Sequence, residues 1–207
     1  MLTFFAALAM LAAEPATAPQ EAPAPELVAS LRQRFAGKAD WSASFTQEKK
    51  LPALSRPLRS SGRLLISRQE GLLWIQEKPF ASSVAINAKS LVQRDSRNRR
   101  SEIKASDQPM LAAFAGTFAA LFAADLKELE KQFTVKAGGK PEAWTLELLP
   151  KDAEMAKGIR RILVEGGISI HQVTLEDPAG SLSKILLSNE KALSAEDAAR
   201  YAVVRAK

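Results

Sequence analysis

Gly62-Arg-Leu-Leu-Ile-Ser-Arg-Gln-Glu-Gly-Leu-Leu-Trp-Ile-Gln-Glu-Lys-Pro79 is the stretch on which the fold turns. Leu64 and Ile66, then Leu72 and Trp74, recur at every second position. That period predicts a β-hairpin with strands at Ser61–Ser67 and Leu72–Glu77 and one apolar face. The same parity puts a single guanidinium, Arg68, among those apolar side chains. A lone arginine is costly to bury without a partner. A surface of this kind meets something with a polar group and apolar tails, a description that fits a lipid better than a metabolite.

Working outward, Trp41, Ala43 and Phe45 alternate with Ser42, Ser44 and Thr46 and predict a strand ahead of the hairpin. Further strands are expected at Ser83–Ala88 and Leu91–Asp95, around Trp144, at Ile159–Glu165 and Ile168–Leu175 about the Gly166-Gly167 turn, and at Leu182–Leu187. Short links between strands imply an antiparallel meander rather than alternating βαβ units. Helices are expected at Glu26–Phe35, where Leu27, Leu31 and Phe35 share a face and Gly37 ends the pattern, at Leu126–Gln132, and from a Ser194 cap. Pro109–Ala124 is the unusual element, because Met110 through Ala124 carries no charge. Leu111, Phe114, Phe118, Leu121 and Phe122 fall on one helical face, and alanines fill the rest. A helix apolar all round is covered all round, yet this one is too short to span a bilayer. It either plugs a core or lids a cavity. The expectation is a mainly β (α+β) chain: an incomplete antiparallel barrel of nine to eleven strands whose helices pack on one face.

With 207 residues and 46% hydrophobic content the chain can bury one sizeable core. Its net charge is +6, and from Trp41 to Lys104 there are 13 Lys and Arg against 5 Asp and Glu. This basic half favours an anionic partner, either lipid head groups or acidic protein loops. Cysteine is absent, which removes disulfides, thiol nucleophiles and cysteine metal sites. Residues 1–13 are uncharged and apolar over the length of a signal-peptide core, with cleavage expected near Ala13. Residues 14–25, with prolines at 15, 19, 23 and 25, read as an extended linker, and 26–207 as one domain. Export to the periplasm follows from that reading.

Most enzymatic readings fail on residue supply. The one histidine, His171, has no Gly-x-Ser-x-Gly turn to serve, and no carboxylate spacing around it suits a metal. Gly138-Gly139-Lys140 lacks the upstream glycine of a phosphate loop and reads as a turn. Arg94-Asp-Ser-Arg-Asn-Arg-Arg100 lacks the interleaved aromatics of a single-strand nucleic-acid site, so it reads as a solvated loop or a docking surface. No catalytic residue, cofactor, metal or nucleic acid is expected.

From about Leu27 to Tyr201 the chain resembles the periplasmic outer-membrane lipoprotein carrier family, the LolA type. The resemblance is carried by Gly62, Arg68, Trp74 and Pro79 in a Gly-x5-Arg-x5-Trp-x4-Pro spacing, by Phe45-Thr46-Gln47, and by Gly167-Ile-Ser-Ile-His171 ahead of the Leu182–Leu187 strand. It implies a monomeric carrier, with no cofactor, that shelters the acyl chains of lipoproteins in a hydrophobic cavity. Such a carrier takes its cargo from an inner-membrane ABC transporter and passes it to an outer-membrane receptor. By this resemblance and by strand parity the cavity walls are Trp41, Phe45, Leu64, Ile66, Leu72, Trp74, Val84 and Ile86. The lid is Phe114, Phe118, Leu121 and Phe122, latched by Arg68 through carbonyls at the lid's end. Gln69 and Leu72 depart from the family's residues, and Lys50–Gly62 looks more like a group of paralogues found with lipid or polyene-pigment synthesis. Two rival readings therefore stand beside the first: a carrier of fatty acyl or polyene lipids, and a secreted hydrolase of lipid esters.

Overall fold

The computed structural model describes residues 24–36, 38 and 40–206, apart from the side chains of residues 24, 109–112 and 114. The expected leader at 1–13 and the linker up to residue 23 lie outside the described residues, as does Gly37. The first helix, α1 (Ala24–Ala36), opens with Pro25 in its first turn, where a proline's missing N–H is no loss. Six strands follow: β1 (Trp41–Lys50), β2 (Leu58–Ser67), β3 (Gly71–Lys78), β4 (Ser82–Ile86), β5 (Ser90–Arg94) and β6 (Arg100–Lys104). Two helices, α2 (Pro109–Phe122) and α3 (Leu126–Gln132), lead to β7 (Phe133–Lys140) and β8 (Ala143–Pro150). The chain then runs through α4 (Ala153–Ala156), β9 (Arg161–Gly166), β10 (Ile170–Glu176), β11 (Leu182–Ala192) and α5 (Ala195–Arg205).

All eleven strands join one antiparallel sheet in the order β6-β5-β4-β3-β2-β1-β11-β10-β9-β8-β7. The sheet is open and curved. Its edges are β6 and β7, so the barrel is incomplete, as expected. Register explains the inner face. Trp41, Ile66, Leu72 and Ile86 lie opposite one another across four strands, and so do Ala43, Leu64, Trp74 and Val84. Directly paired residues in an antiparallel sheet project to the same side. The rows therefore build one continuous apolar surface, which α1, α2 and α3 cover with Leu27, Leu31, Phe35, Leu121, Phe122, Leu126 and Leu129. Gly62 is required where the strands crowd, since a Cβ there would lie 1.9 Å from the Ile75 carbonyl oxygen.

The outer face differs from the expectation that the helices share one side. Leu65, Leu73, Ala85 and Val92 form a second row, and α5 packs on it with Tyr201 and Val204. The signal was present in Leu64-Leu65-Ile66 and Leu72-Leu73-Trp74, which are apolar on both parities, as strands covered on both faces are. α5 is capped by Ser194, whose Oγ accepts from the Asp197 N–H. It is fixed by Asp197, almost wholly buried, which accepts from Arg63 Nη1 at 2.7 Å. Tyr201 Oη donates to the Gly71 carbonyl at 3.0 Å.

Three local readings change. Gly138, Gly139 and Lys140 lie within β7, paired with Thr145, Trp144 and Ala143, and the turn falls at 141–142 instead. The arginine run is not one loop, because Arg100 already begins β6 opposite Arg94. Its remainder is a self-satisfied turn: the Asp95 carboxylate accepts from the Arg97 and Arg99 N–H groups, and Arg94 Nε donates to the Val204 carbonyl of α5. Finally, β2 stops at Ser67, and Arg68 sits exposed at the rim of the apolar face rather than on it.

Candidate functional site

The two ends of the sheet are built differently. At the end where β1 starts, α1 is clamped across the opening by cations. Arg32 Nη2 contacts both Glu130 carboxylate oxygens, at 2.7 and 2.8 Å, joining α1 to α3. Arg34 Nη1 donates to the Pro141 and Gly167 carbonyls at 2.6 Å each, pinning α1 to the turns after β7 and β9. Arg68 Nη2 donates to the carbonyls of Ala36 at 3.2 Å and Lys38 at 2.6 Å. Its partners are therefore the end of α1, where a cation also opposes the helix dipole, and not the end of α2. The Arg68 N–H meanwhile binds Asp40 and holds that carboxyl below the usual range, with Ser67 adding to the effect.

At the opposite end the inner face is not filled. A cleft of about 460 Å³ runs under α2. Its floor is Leu72 and Trp74 of β3, Val84 and Ile86 of β4, and Ile185 of β11, and its roof is Phe118 and Phe122 of α2. Ile159 and Leu175 close the far side. Trp74 is the hinge of this wall: its ring lies 3.9 Å from that of Phe45 in the core and 6.1 Å from that of Phe122 in the roof. Pockets of roughly 300–1,000 Å³ with mainly apolar linings are the size class that takes small ligands.

The polar groups near the cleft stand at its mouth, and all but the Lys49 ammonium are held by hydrogen bonds or ion pairs. Gln47 Nε2 donates to Ser183 Oγ at 2.7 Å and Gln47 Oε1 accepts from Ser60. Glu176 is held by Arg160 at 2.9 Å and Arg161 at 2.6 Å. Asp177 accepts from the Ser181 N–H at 2.8 Å, and the Ser181 hydroxyl and N–H hold its carboxyl below the ordinary value, with a smaller contribution from the Lys49 charge. Among the described residues, the buried polar atoms without a partner are on Arg32, Ser42, Arg100 and Arg200, none of which lines the cleft. The interior therefore offers apolar contact and no unmet hydrogen bond.

Of the residues expected to form a cavity, Leu72, Trp74, Val84, Ile86, Phe118 and Phe122 meet in the cleft. Trp41, Phe45, Leu64, Ile66 and Leu121 belong to the same inner core but are packed away from it. Trp41 and Ile66 instead border a shallow pit of about 340 Å³ beside Arg68 at the clamped end, whose far wall is 123–127, just past α2. The Phe114 side chain lies outside the described residues. Sequence reasoning missed Ile159, Leu175 and Ile185. Extending the parity of β1 across its other neighbour finds the last, because Gln47 pairs with Ile185. His171 is exposed at a register shift between β9 and β10.

A protein-family model described as "Outer membrane lipoprotein carrier protein LolA-like" matches residues 21–206. No curated protein matches the chain. Among solved structures the chain is similar to a LolA superfamily protein from Nitrosomonas europaea, at 10% identity and TM-score 0.48, over 83% of this chain and 94% of that one. It is also similar to a DUF1329 family protein from Desulfovibrio piger, at 12% identity and TM-score 0.48, over 87% and 97%. A third likeness is to the MucA/MucB complex of Pseudomonas aeruginosa, at 12% identity and TM-score 0.44, over 84% and 59%.

Proposed function

This chain belongs to the LolA-like outer membrane lipoprotein carrier family, and on that premise we propose that it is a periplasmic carrier that holds the acyl chains of lipoproteins in the cleft under α2 and ferries them from the inner to the outer membrane. One observation carries the reading: the cleft walls are aromatic and aliphatic, and the polar side chains at the mouth, the Lys49 ammonium apart, are already held by protein partners. A polar metabolite would find nothing to bind inside, and an alkyl chain needs nothing more. By the family's pattern an inner-membrane ABC transporter loads the carrier and an outer-membrane receptor unloads it.

The mechanism follows from energetics. Burying a chain gains about 0.8 kcal/mol per methylene, in this cleft or in a bilayer alike. A carrier that matched the bilayer would have no net drive to hand its cargo over, so part of that gain has to be offset. The roof supplies the offset, since a tail that enters displaces Phe118 and Phe122 from the walls they cover. α2 is poorly anchored at its entry: Gln108 provides no side-chain cap, and neither the first turn nor the last carries a charge favourable to the dipole. Its firm tie lies further along, where Thr117 Oγ1 sits 2.9 Å from Gln132 Oε1 at the end of α3.

Titration with a series of single-chain lipids of increasing length tests this. Affinity should rise about fourfold per methylene and then level off once the tail fills the cleft. Affinity independent of length removes the cleft as the site. Mass spectrometry of material co-purified from periplasm then separates acylated lipoproteins from free lipids as the cargo.

A further inference from the structure

The open end of the sheet carries more than the cleft mouth. Register places Lys49 opposite Leu58 and Ser61 opposite Lys78, so the loop at 51–57 and the turn at 79–81 project from the same rim. Leu54, Leu58 and Phe80 are 46%, 52% and 72% exposed, half of the large apolar side chains that stand in solvent among the described residues. Phe80 is not loosely held, because Gln76 Nε2 donates to its carbonyl at 3.0 Å and fixes the turn.

Around these apolar tips cations predominate, and the nearby carboxylates, Glu48 and Glu77, are paired with Arg59 and Arg63. No carboxylate occurs from residue 49 to residue 69. Lys50, Arg56 and Lys78 form no ion pair among the described residues. Behind the rim, on the outer face, Lys50, Arg59, Lys78 and Lys184, against the single carboxylate Glu48, line an open groove of about 840 Å³ together with Leu186, which is 44% exposed. Separate apolar tips on neighbouring loops, each flanked by cations, suit a fluid interface with anionic heads and apolar depth. A folded protein partner would meet one contiguous apolar patch instead.

We propose that this rim docks on the surface of an anionic lipid bilayer. Leu54, Leu58 and Phe80 enter the head-group layer, and the surrounding lysines and arginines meet lipid phosphates. The cleft mouth, bordered by Lys49 on the same rim, then faces the membrane. A tail can pass between the two without crossing open water, a consequence that rests on reading the cleft as an acyl-chain site.

The test is co-flotation of the full chain with vesicles of phosphatidylglycerol mixed with phosphatidylcholine, against phosphatidylcholine alone, at low and high salt. Binding is expected to the mixed vesicles and to weaken with salt. Phe80→Ser should weaken it about tenfold or more. The Lys50→Glu, Arg56→Glu pair should weaken it at least about twenty-fivefold, at about fivefold per cation lost. All variants should take up an uncharged acyl probe as wild type does, since none of the three residues lines the cleft. No binding to the anionic vesicles, or binding that both variants leave unchanged, overturns the proposal and leaves the rim to an acidic protein. Vesicle binding without probe uptake would sink the acyl-chain reading while the docking stands, and probe uptake without vesicle binding the reverse.

Discussion

Phe118→Asp puts a carboxylate in the roof of the cleft, and the structure sets its effect in each state. Phe118 is half-buried and borders the open cleft, so in the empty protein the new carboxylate is hydrated through the mouth. The fold loses part of a phenylalanine's burial, about 1–2 kcal/mol, and some helix propensity, about 0.6 kcal/mol. When an alkyl chain fills the cleft the water leaves, and the carboxylate has either to lie dry against methylenes or to take a proton. Protonation caps the penalty. From an ordinary pKa near 3.9, neutralising the group at pH 7 costs about 4 kcal/mol, close to a thousandfold in affinity, and at pH 5 only about 1.5 kcal/mol, roughly tenfold. The assay is titration with a fluorescent long-chain probe whose head group carries no charge, at both pH values. Phe118→Ala serves as the control that removes area alone. Wild-type affinity for Phe118→Asp at pH 7, with circular dichroism unchanged, would place the binding site elsewhere. A deficit equally large at pH 5 would show that charge in a dried cleft is not its cause.

Three further outcomes are expected. Arg68→Leu should cost the fold about 1 kcal/mol for two exposed hydrogen bonds and leave probe uptake and delivery to acceptor membranes near wild type, since its acceptors lie at the end of α1 and not of α2, so slowed delivery would bring α1 into the release step. Gly116→Ala, at a position where a Cβ meets nothing within 4 Å, should stabilise α2 by about 0.5–1 kcal/mol and lower probe affinity up to about fivefold, read from melting curves and titration together. Burial pushes the phenol of Tyr201 far above its ordinary value, and the Asp40 charge adds to this. The folded state therefore keeps its proton where the unfolded chain loses it, and stability should be full below about pH 10 and fall as pH rises beyond that. Tyr201→Phe should flatten this slope in urea melts, and since the chain has one tyrosine its phenolate absorbance should appear only on unfolding.

What was legible in the sequence was local and periodic. Leu64, Ile66, Leu72 and Trp74 announced their strands because one face is buried, and period-two parity then fixes every neighbour in the row. Pro109–Phe122 announced its helix by having no charge to keep wet. β6 was missed because Arg100-Ser-Glu-Ile-Lys104 is an edge strand with exposed or half-buried side chains, and nothing apolar marks its parity. β7 was missed for a related reason: Gly138 and Gly139 look like punctuation, yet here they lie opposite Thr145 and Trp144. Arg68 shows the limit of parity reasoning. The alternation that placed it on the apolar face is real, but β2 ends one residue earlier, and a side chain beyond a strand end is free to turn to the nearest carbonyls. The sequence could say which residues share a face, but not where the sheet stops or which wall remains uncovered.

That last distinction is the basis of the proposed carrier function. Both ends of the inner face began with the same supply of apolar side chains, and what separates them is the cover. At one end α1 is held down by Arg32, Arg34 and Arg68, each on fixed acceptors in another element or just past the helix, and only a shallow pit is left beside it. At the other the roof is α2, whose start has no side-chain cap and whose charge-free surface offers no ion pair to hold it. A roof held mainly by its own phenylalanines competes directly with any alkyl chain for the same walls, and the two differ in free energy by only a few methylenes' worth of burial. Cargo affinity is then set by the difference between two similar apolar contacts. Small changes in α2 therefore tune it, and removing α2 would turn a carrier into a trap.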